Sequence, residues 1–218
     1  MEAEIYGNPD FGEVVFSLAP GEKILIEAGS MSRMSPGINV KGTIPGGILR
    51  ALARKFLGGE TFFIGEYSAQ TPGFIVAVPK LPGEVRKIEL NGNGIYVSSG
   101  SFLAAQKDVE FKTKFLGLKG FLSGKSAFAI YCRGYGSLFF NAFGGIVEKQ
   151  INGKFIVDTG HAAAWEDTLD FKIKGMGSLK STLLSGEGFV LQFEGKGKIW
   201  LQTRTLDETA SWLSPYCY

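Results

Sequence analysis

Histidine is almost missing from this chain, with one in 218 residues, and that scarcity excludes metal sites that draw several imidazoles from one sheet. Its two cysteines, Cys132 and Cys217, could form one disulfide at most. One bridge is no framework for a chain this long, so two free thiols in a reducing compartment are expected. No apolar run approaches the ~20 residues that span a bilayer, and Phe74-Ile75-Val76-Ala77-Val78 ends at Pro79. The opening Met1-Glu2-Ala3-Glu4 is acidic and lacks the layout of a secretion signal, which points to a cytoplasmic protein. Neither sign of charge dominates, because 23 Lys and Arg against 21 Asp and Glu leave a formal net charge of +2. Such a balance gives no global attraction for nucleic acid, which is not an expected partner. A Gly-x-Ser-x-Gly elbow is missing as well, so nothing points to a nucleophilic enzyme. Neither a metal nor an organic cofactor is expected.

Glycine, in contrast, is abundant. The 31 glycines make about 14% of the chain, roughly twice ordinary usage. With 44% hydrophobic and 20% charged residues the chain is built to pack a core, so the glycines punctuate an ordered fold. Short runs of Val, Ile, Phe and Tyr bounded by Gly, Pro or Asn-Gly indicate a mostly β protein.

Those runs repeat. Leu18-Ala19-Pro20-Gly21 through Glu27-Ala28-Gly29-Ser30 has the layout of Leu90-Asn91-Gly92 through Ser98-Ser99-Gly100-Ser101 and of Ile151-Asn152-Gly153 through Asp158-Thr159-Gly160-His161. A second marker follows in the same order: Phe56-Leu57-Gly58-Gly59-Glu60, Phe121-Leu122-Ser123-Gly124-Lys125 and Leu183-Leu184-Ser185-Gly186-Glu187. The glycines of the first marker are 71 and 60 residues apart and those of the second 65 and 62, so both agree on one period. The expectation is one compact domain of three pseudo-repeats, 13–79, 85–143 and 146–204, with a helical tail over 205–218. Units of this kind should bury shared faces in a pseudo-threefold arrangement. Asn91-Gly92 and Asn152-Gly153 read as hairpin turns, and Gly134-Tyr135-Gly136 and Gly195-Lys196-Gly197 as tight turns between strands. Links between units fall at Lys80-Leu81-Pro82-Gly83 and Phe143-Gly144-Gly145.

Two stretches read as helix. Ile48, Leu49, Leu52 and Phe56 share one face and Arg50 and Arg54 another. Thr205-Leu206-Asp207-Glu208 has the spacing of a capping box, with a helix through Trp212-Leu213 that stops before Pro215.

Among candidate sites, Gly120 to Ser126 ends like a phosphate loop but encloses three residues between its glycines instead of four. Its Lys125 matches glutamate in both other copies, which makes it a turn residue. His161 stands where the other copies carry Ser30 and Ser101, so a small-ligand or enzyme pocket over Asp158, His161 and Trp165 is one reading. The other is a turn whose side chains bond the backbone. Arg50, Arg54 and Lys55 form a basic face that suits an anionic membrane surface or a protein partner.

Glu27-Ala28-Gly29-Ser30-Met31, Gly46-Gly47-Ile48-Leu49 through Arg54 to Thr61, Val157-Asp158-Thr159-Gly160-His161-Ala162-Ala163 and Gln202-Thr203-Arg204 together resemble the mitochondrial-biogenesis "altered inheritance of mitochondria" family. That family is grouped with the trp RNA-binding attenuation protein superfamily, which implies an all-β fold of jelly-roll-like sandwich or barrel units with internal duplication. The basic residues that superfamily uses for RNA do not recur in the three copies, so RNA binding is only the weaker alternative. The expected role is a non-enzymatic β scaffold, homo-oligomeric through strand edges or aromatic faces, that engages a protein partner or a membrane surface.

Overall fold

The computed structural model describes residues 1–43, 63–115, 128–175 and 189–217. The expected helix over 48–56, with Arg50, Arg54 and Lys55, lies outside them, as does nearly all of the second repeated marker. Among the described residues the chain is mostly β, in two sheets that form a sandwich-like fold without a closed barrel.

The first stretch runs β1 (Glu2–Tyr6), β2 (Glu13–Leu18), β3 (Lys23–Glu27), β4 (Met31–Met34), β5 (Ile38–Thr43), β6 (Ile64–Ala69) and β7 (Gly73–Ala77). The second has β8 (Val85–Ser98), β9 (Phe102–Gln106), β10 (Val109–Phe115) and β11 (Phe128–Asn141). The third has β12 (Ile146–Asp158), β13 (Ala162–Glu166), β14 (Leu169–Gly175) and β15 (Phe189–Gln202). A helix, α1 (Leu206–Leu213), follows, and the Thr205 hydroxyl accepts from the Glu208 N–H as the capping box requires.

One sheet has the order β1-β2-β7-β4. The other runs β12-β15-β13-β8-β11-β9-β3-β6-β5, with β10 on β11 and β14 on β15. Alternation sets the inward faces, since Val14, Phe16 and Leu18 are buried along β2 and Ile24 and Ile26 along β3. β9 and β13 differ, because Phe102-Leu103-Ala104-Ala105 and Ala162-Ala163-Ala164-Trp165 are buried without alternation. Each lies inside a sheet and is covered on both faces.

The expected turns in the second and third stretches are not there. β8 and β12 run unbroken through Asn91-Gly92 and Asn152-Gly153, and β11 and β15 through Gly134-Tyr135-Gly136 and Gly195-Lys196-Gly197. Only the first stretch turns at these places, between β2 and β3 and between β6 and β7, and there Pro20 and Pro72 remove an N–H from the ladder. Without proline, each long strand keeps the same partner on both sides of this place, β8 across a register shift on β11 and β12 without a break on β15, and that pairing outweighs a local hairpin. Gly134 and Gly195, at φ of 138° and 134°, take up the bend. A Cβ on Gly134 would run into the Asp108 carbonyl, and one on Gly195 would crowd the matching Thr168 carbonyl.

Several details recur at matching places. Ser32, Leu103 and Ala163 are each skipped in the pairing of β4 with β7, β9 with β11 and β13 with β15, giving three bulges. A side chain just beyond each bulge accepts from the backbone of the facing strand. Ser35 takes the Phe74 N–H (2.9 Å), Gln106 that of Ser137 (3.0 Å) and Glu166 that of Lys198 (2.8 Å).

Packing crosses these stretches. Leu103, Ala104 and Phe139 belong to a core otherwise built from residues 14–85, where Phe139 meets Phe16 edge to face at 5.0 Å. Ala163, Ala164 and Trp200 likewise join the core around Leu90, Ile95, Phe102 and Phe140. Leu103 thus plugs the preceding stretch. Leu103→Ala should lower unfolding free energy by about 2–5 kcal/mol, read from urea denaturation, whereas Val40→Ala on the exposed face of β5 should change it by less than about 0.5 kcal/mol.

Candidate functional site

Asp158 and His161 occupy the turn between β12 and β13, and both are tied to it. The Asp158 carboxylate accepts from the Gly160 N–H at 2.8 Å, and the His161 N–H donates to the Asp158 carbonyl at 3.0 Å. Ser30 and Ser101 make the same backbone bond to Glu27 and Ser98. On the ring of His161, Nδ1 lies 2.7 Å from the Gln202 carbonyl, so it donates, and Nε2 stands 3.6 Å from Glu208 on α1.

Trp165 is elsewhere. It is fully buried in the third core, stacked on Tyr96 at 5.7 Å and edge to face with Phe171 and Phe193. Its indole N–H has no partner there, at a typical cost of about 1–3 kcal/mol. The three residues therefore do not line one cavity. Cys132 is buried at the centre of the second core, where burial pushes its thiol well above the ordinary range, and Cys217 is exposed and free. No described group of three or more His, Cys, Asp and Glu is placed to hold a metal ion, and no described helix is long and apolar enough to cross a membrane.

A cleft of about 310 Å³ opens where β8, β12 and β15 meet, lined by Arg86, Lys87, Glu89, Glu148, Lys198 and Trp200 among others. Glu148 organises it, taking the Lys198 ammonium on one oxygen (2.8 Å) and the Trp200 indole N–H on the other (2.9 Å). The Lys198 ammonium holds the Glu148 carboxyl below the ordinary glutamate range, with the indole N–H acting the same way and partial burial opposing both. Glu89 pairs with Lys87 at 2.7 Å and accepts from the Ser137 hydroxyl. The cleft's carboxylates thus find cations and donors within the chain. That network ties β12 to β15.

The outer edge of β4 is one of the open strand edges. Among the described residues β7 is its sole strand partner. Met31, Met34 and Phe74 are 36%, 37% and 41% exposed, while Phe102, Ala105 and Ser137, which hold the matching places in the second stretch, are 0%, 0% and 5% exposed. Phe102 and Ala105 belong to the second core, and β9, which carries them, is paired on both sides. β9 lies on β3, and β13 on β8. β4 has no such neighbour. Arg33 stands where the other strands carry Ala104 and Ala164, and it forms a bidentate pair with Glu13 (2.7 and 2.8 Å) that keeps a charge on the open edge. At one end of the other sheet, β12 has β15 as its sole strand partner among the described residues, and Ile156 is 59% exposed. Sequence reasoning missed both edges, although setting Met31-Ser32-Arg33-Met34 beside Phe102-Leu103-Ala104-Ala105 would have exposed the difference.

The family model described as mitochondrial biogenesis AIM24 matches residues 3–204. An uncharacterised protein of Streptococcus pyogenes serotype M6 is 27% identical over 225 residues, covering 99% of this chain and 91% of the relative. The X-ray structure of another Streptococcus pyogenes protein is similar with a TM-score of 0.85 and 26% identity, covering 99% of each chain.

The Glu148 network generates a pH prediction. A carboxyl whose folded pKa is lowered stabilises the fold above its unfolded value and loses that contribution as pH falls through the folded one. Glu148→Gln should therefore lower thermal stability at neutral pH by less than about 1 kcal/mol, since the pair is partly solvated. The gap to the parent should close below about pH 4, as followed by thermal melts across pH.

Proposed function

We propose, starting from the fact that this chain belongs to the mitochondrial biogenesis AIM24 family, that it is a binding scaffold which receives a strand of a protein partner along the open edge of β4. The family's description names a process and no reaction, and that agrees with a role in binding. The observation that carries the reading is the open outer edge of β4, with Met31 and Met34 on it and Phe74 beside it exposed at places whose counterparts in the second stretch are buried. Adding a strand to such an edge supplies main-chain hydrogen bonds for affinity and side-chain contacts for selectivity. We also infer that the matching bulges and backbone bonds after β4, β9 and β13 reflect a threefold internal duplication, in which the first unit is the one left with its short strand uncovered.

A basic contact through Arg50, Arg54 and Lys55 adds nothing to this reading, because those residues lie outside the described structure. The pocket alternative draws no support from Trp165, which lies in the core apart from Asp158 and His161 in the turn.

A photo-reactive benzophenone side chain placed at Met34 should form protein adducts in the cells that make this protein. The same label at the exposed Val40 of β5 should form several-fold fewer. Arg33→Pro, which disturbs the edge, should reduce the Met34 adducts. Equal labelling from Met34 and Val40 would contradict the reading.

A further inference from the structure

We infer that copies of this chain associate head to tail, β4 of one copy pairing antiparallel with residues 155–157 of β12 in the next, which rests on the strand-edge reading above and names the occupant of that edge.

The chain makes this junction twice within itself. β9 pairs with β3 through Ile24↔Gln106, Leu25↔Ala105 and Ile26↔Ala104. β13 pairs with β8 through Ile95↔Glu166, Tyr96↔Trp165 and Val97↔Ala164. The two registers coincide when the turns at Gly29, Gly100 and Gly160 are aligned. Carried to the third junction, the same register sets Phe155 opposite Ser35, Ile156 opposite Met34 and Val157 opposite Arg33. Within one chain, β4 and β12 do not pair.

Both faces of the missing junction fit it. The receiving strand inside the chain, Lys23-Ile24-Leu25-Ile26-Glu27, has a lysine, three apolar residues and a carboxylate, and Lys154-Phe155-Ile156-Val157-Asp158 repeats that pattern. Leu25 packs against the second core and Tyr96 against the third, each reaching into the unit that follows its own. Ile156 is the matching residue, and it is exposed. Met31, Met34 and Phe74 are the exposed apolar counterpart at the other end. Main-chain pairing on the outer edge of β4 leaves the Arg33–Glu13 pair in place, since Glu13 belongs to the same copy.

Each copy carries one end of each kind, so the contact is heterologous. Repetition gives a ring where the rotation between copies closes and a filament where it does not. An isologous dimer would instead place β4 against β4.

The test uses two single-cysteine variants, Met34→Cys and Ile156→Cys, each in a Cys217→Ser background so that buried Cys132 is the other thiol present. Both positions are surface sites whose substitution leaves the fold intact. Facing residues of an antiparallel pair have Cα atoms about 4.5–5.5 Å apart, within reach of a disulfide. Under mild oxidation, a mixture of the two variants should give disulfide-linked pairs, and either variant alone should give several-fold fewer. Linkage in Met34→Cys alone that equals the mixture would overturn the head-to-tail geometry in favour of β4 against β4. No linkage in any sample would overturn the proposal outright. If linkage fails while a benzophenone at Met34 captures a different protein, the strand-edge reading stands and the self-association falls. If both fail, both fall.

Discussion

The antiparallel pairing of β9 on β3 and of β13 on β8 is the constraint on which the rest of this structure depends. Each of these short strands sits between a long strand of its own stretch and a strand of the stretch before it, so a handful of main-chain bonds join the three stretches. The same strands carry the plugs. Leu103 and Ala104 enter the first core, and Ala163 and Ala164 the second, so the pairing that joins two units also removes an apolar face from water.

A junction of this kind is directional, and a linear series of units joined by it must end somewhere. Here the series ends at β4 on one side and at the outer edge of β12 on the other, and the chain treats the two differently. β4 is short, bears Arg33 and Ser32 where its counterparts bear apolar residues, and ties Arg33 to Glu13, all of which discourage indiscriminate pairing. β12 is long and carries Glu148, Lys149 and Lys154, with Val147 and Ile156 as its exposed apolar points. The edges are therefore guarded without being closed. The Glu148–Lys198–Trp200 network, which sits on β12 and β15, stiffens the strand pair that presents the second edge.

Much of this architecture was legible in the residues. The repeated Gly-Ser and Gly-His turns mark the ends of β3, β8 and β12, and the capping box at Thr205 opens α1 where its spacing requires. The errors came from reading each Asn-Gly by its local chemistry. That pair favours a two-residue turn only when the flanking segments pair with each other, and in β8 and β12 they pair instead with β11 and β15. The signal that separates the cases is proline, present at 20 and 72 and missing from the matching places in the later units. His161 looked distinctive because it replaces a serine, yet the backbone turn is the same for all three residues, and the imidazole adds a bond to Gln202 and a contact with Glu208 on α1. The Glu148–Trp200 contact joins residues 52 apart in sequence and depends on the register of β12 with β15, which no local pattern specifies.

The central claim is that the outer edge of β4 and residues 155–157 of β12 are unfilled copies of a junction the chain already makes twice. Amide hydrogen exchange on the purified protein over a range of concentrations tests it most directly. The account predicts that β9 and β13 are strongly protected at every concentration. It predicts that protection of β4 and of residues 155–157 rises together as concentration rises. Amides of β4 that exchange at one rate at every concentration, whether fast or as slowly as those of β9, would contradict it.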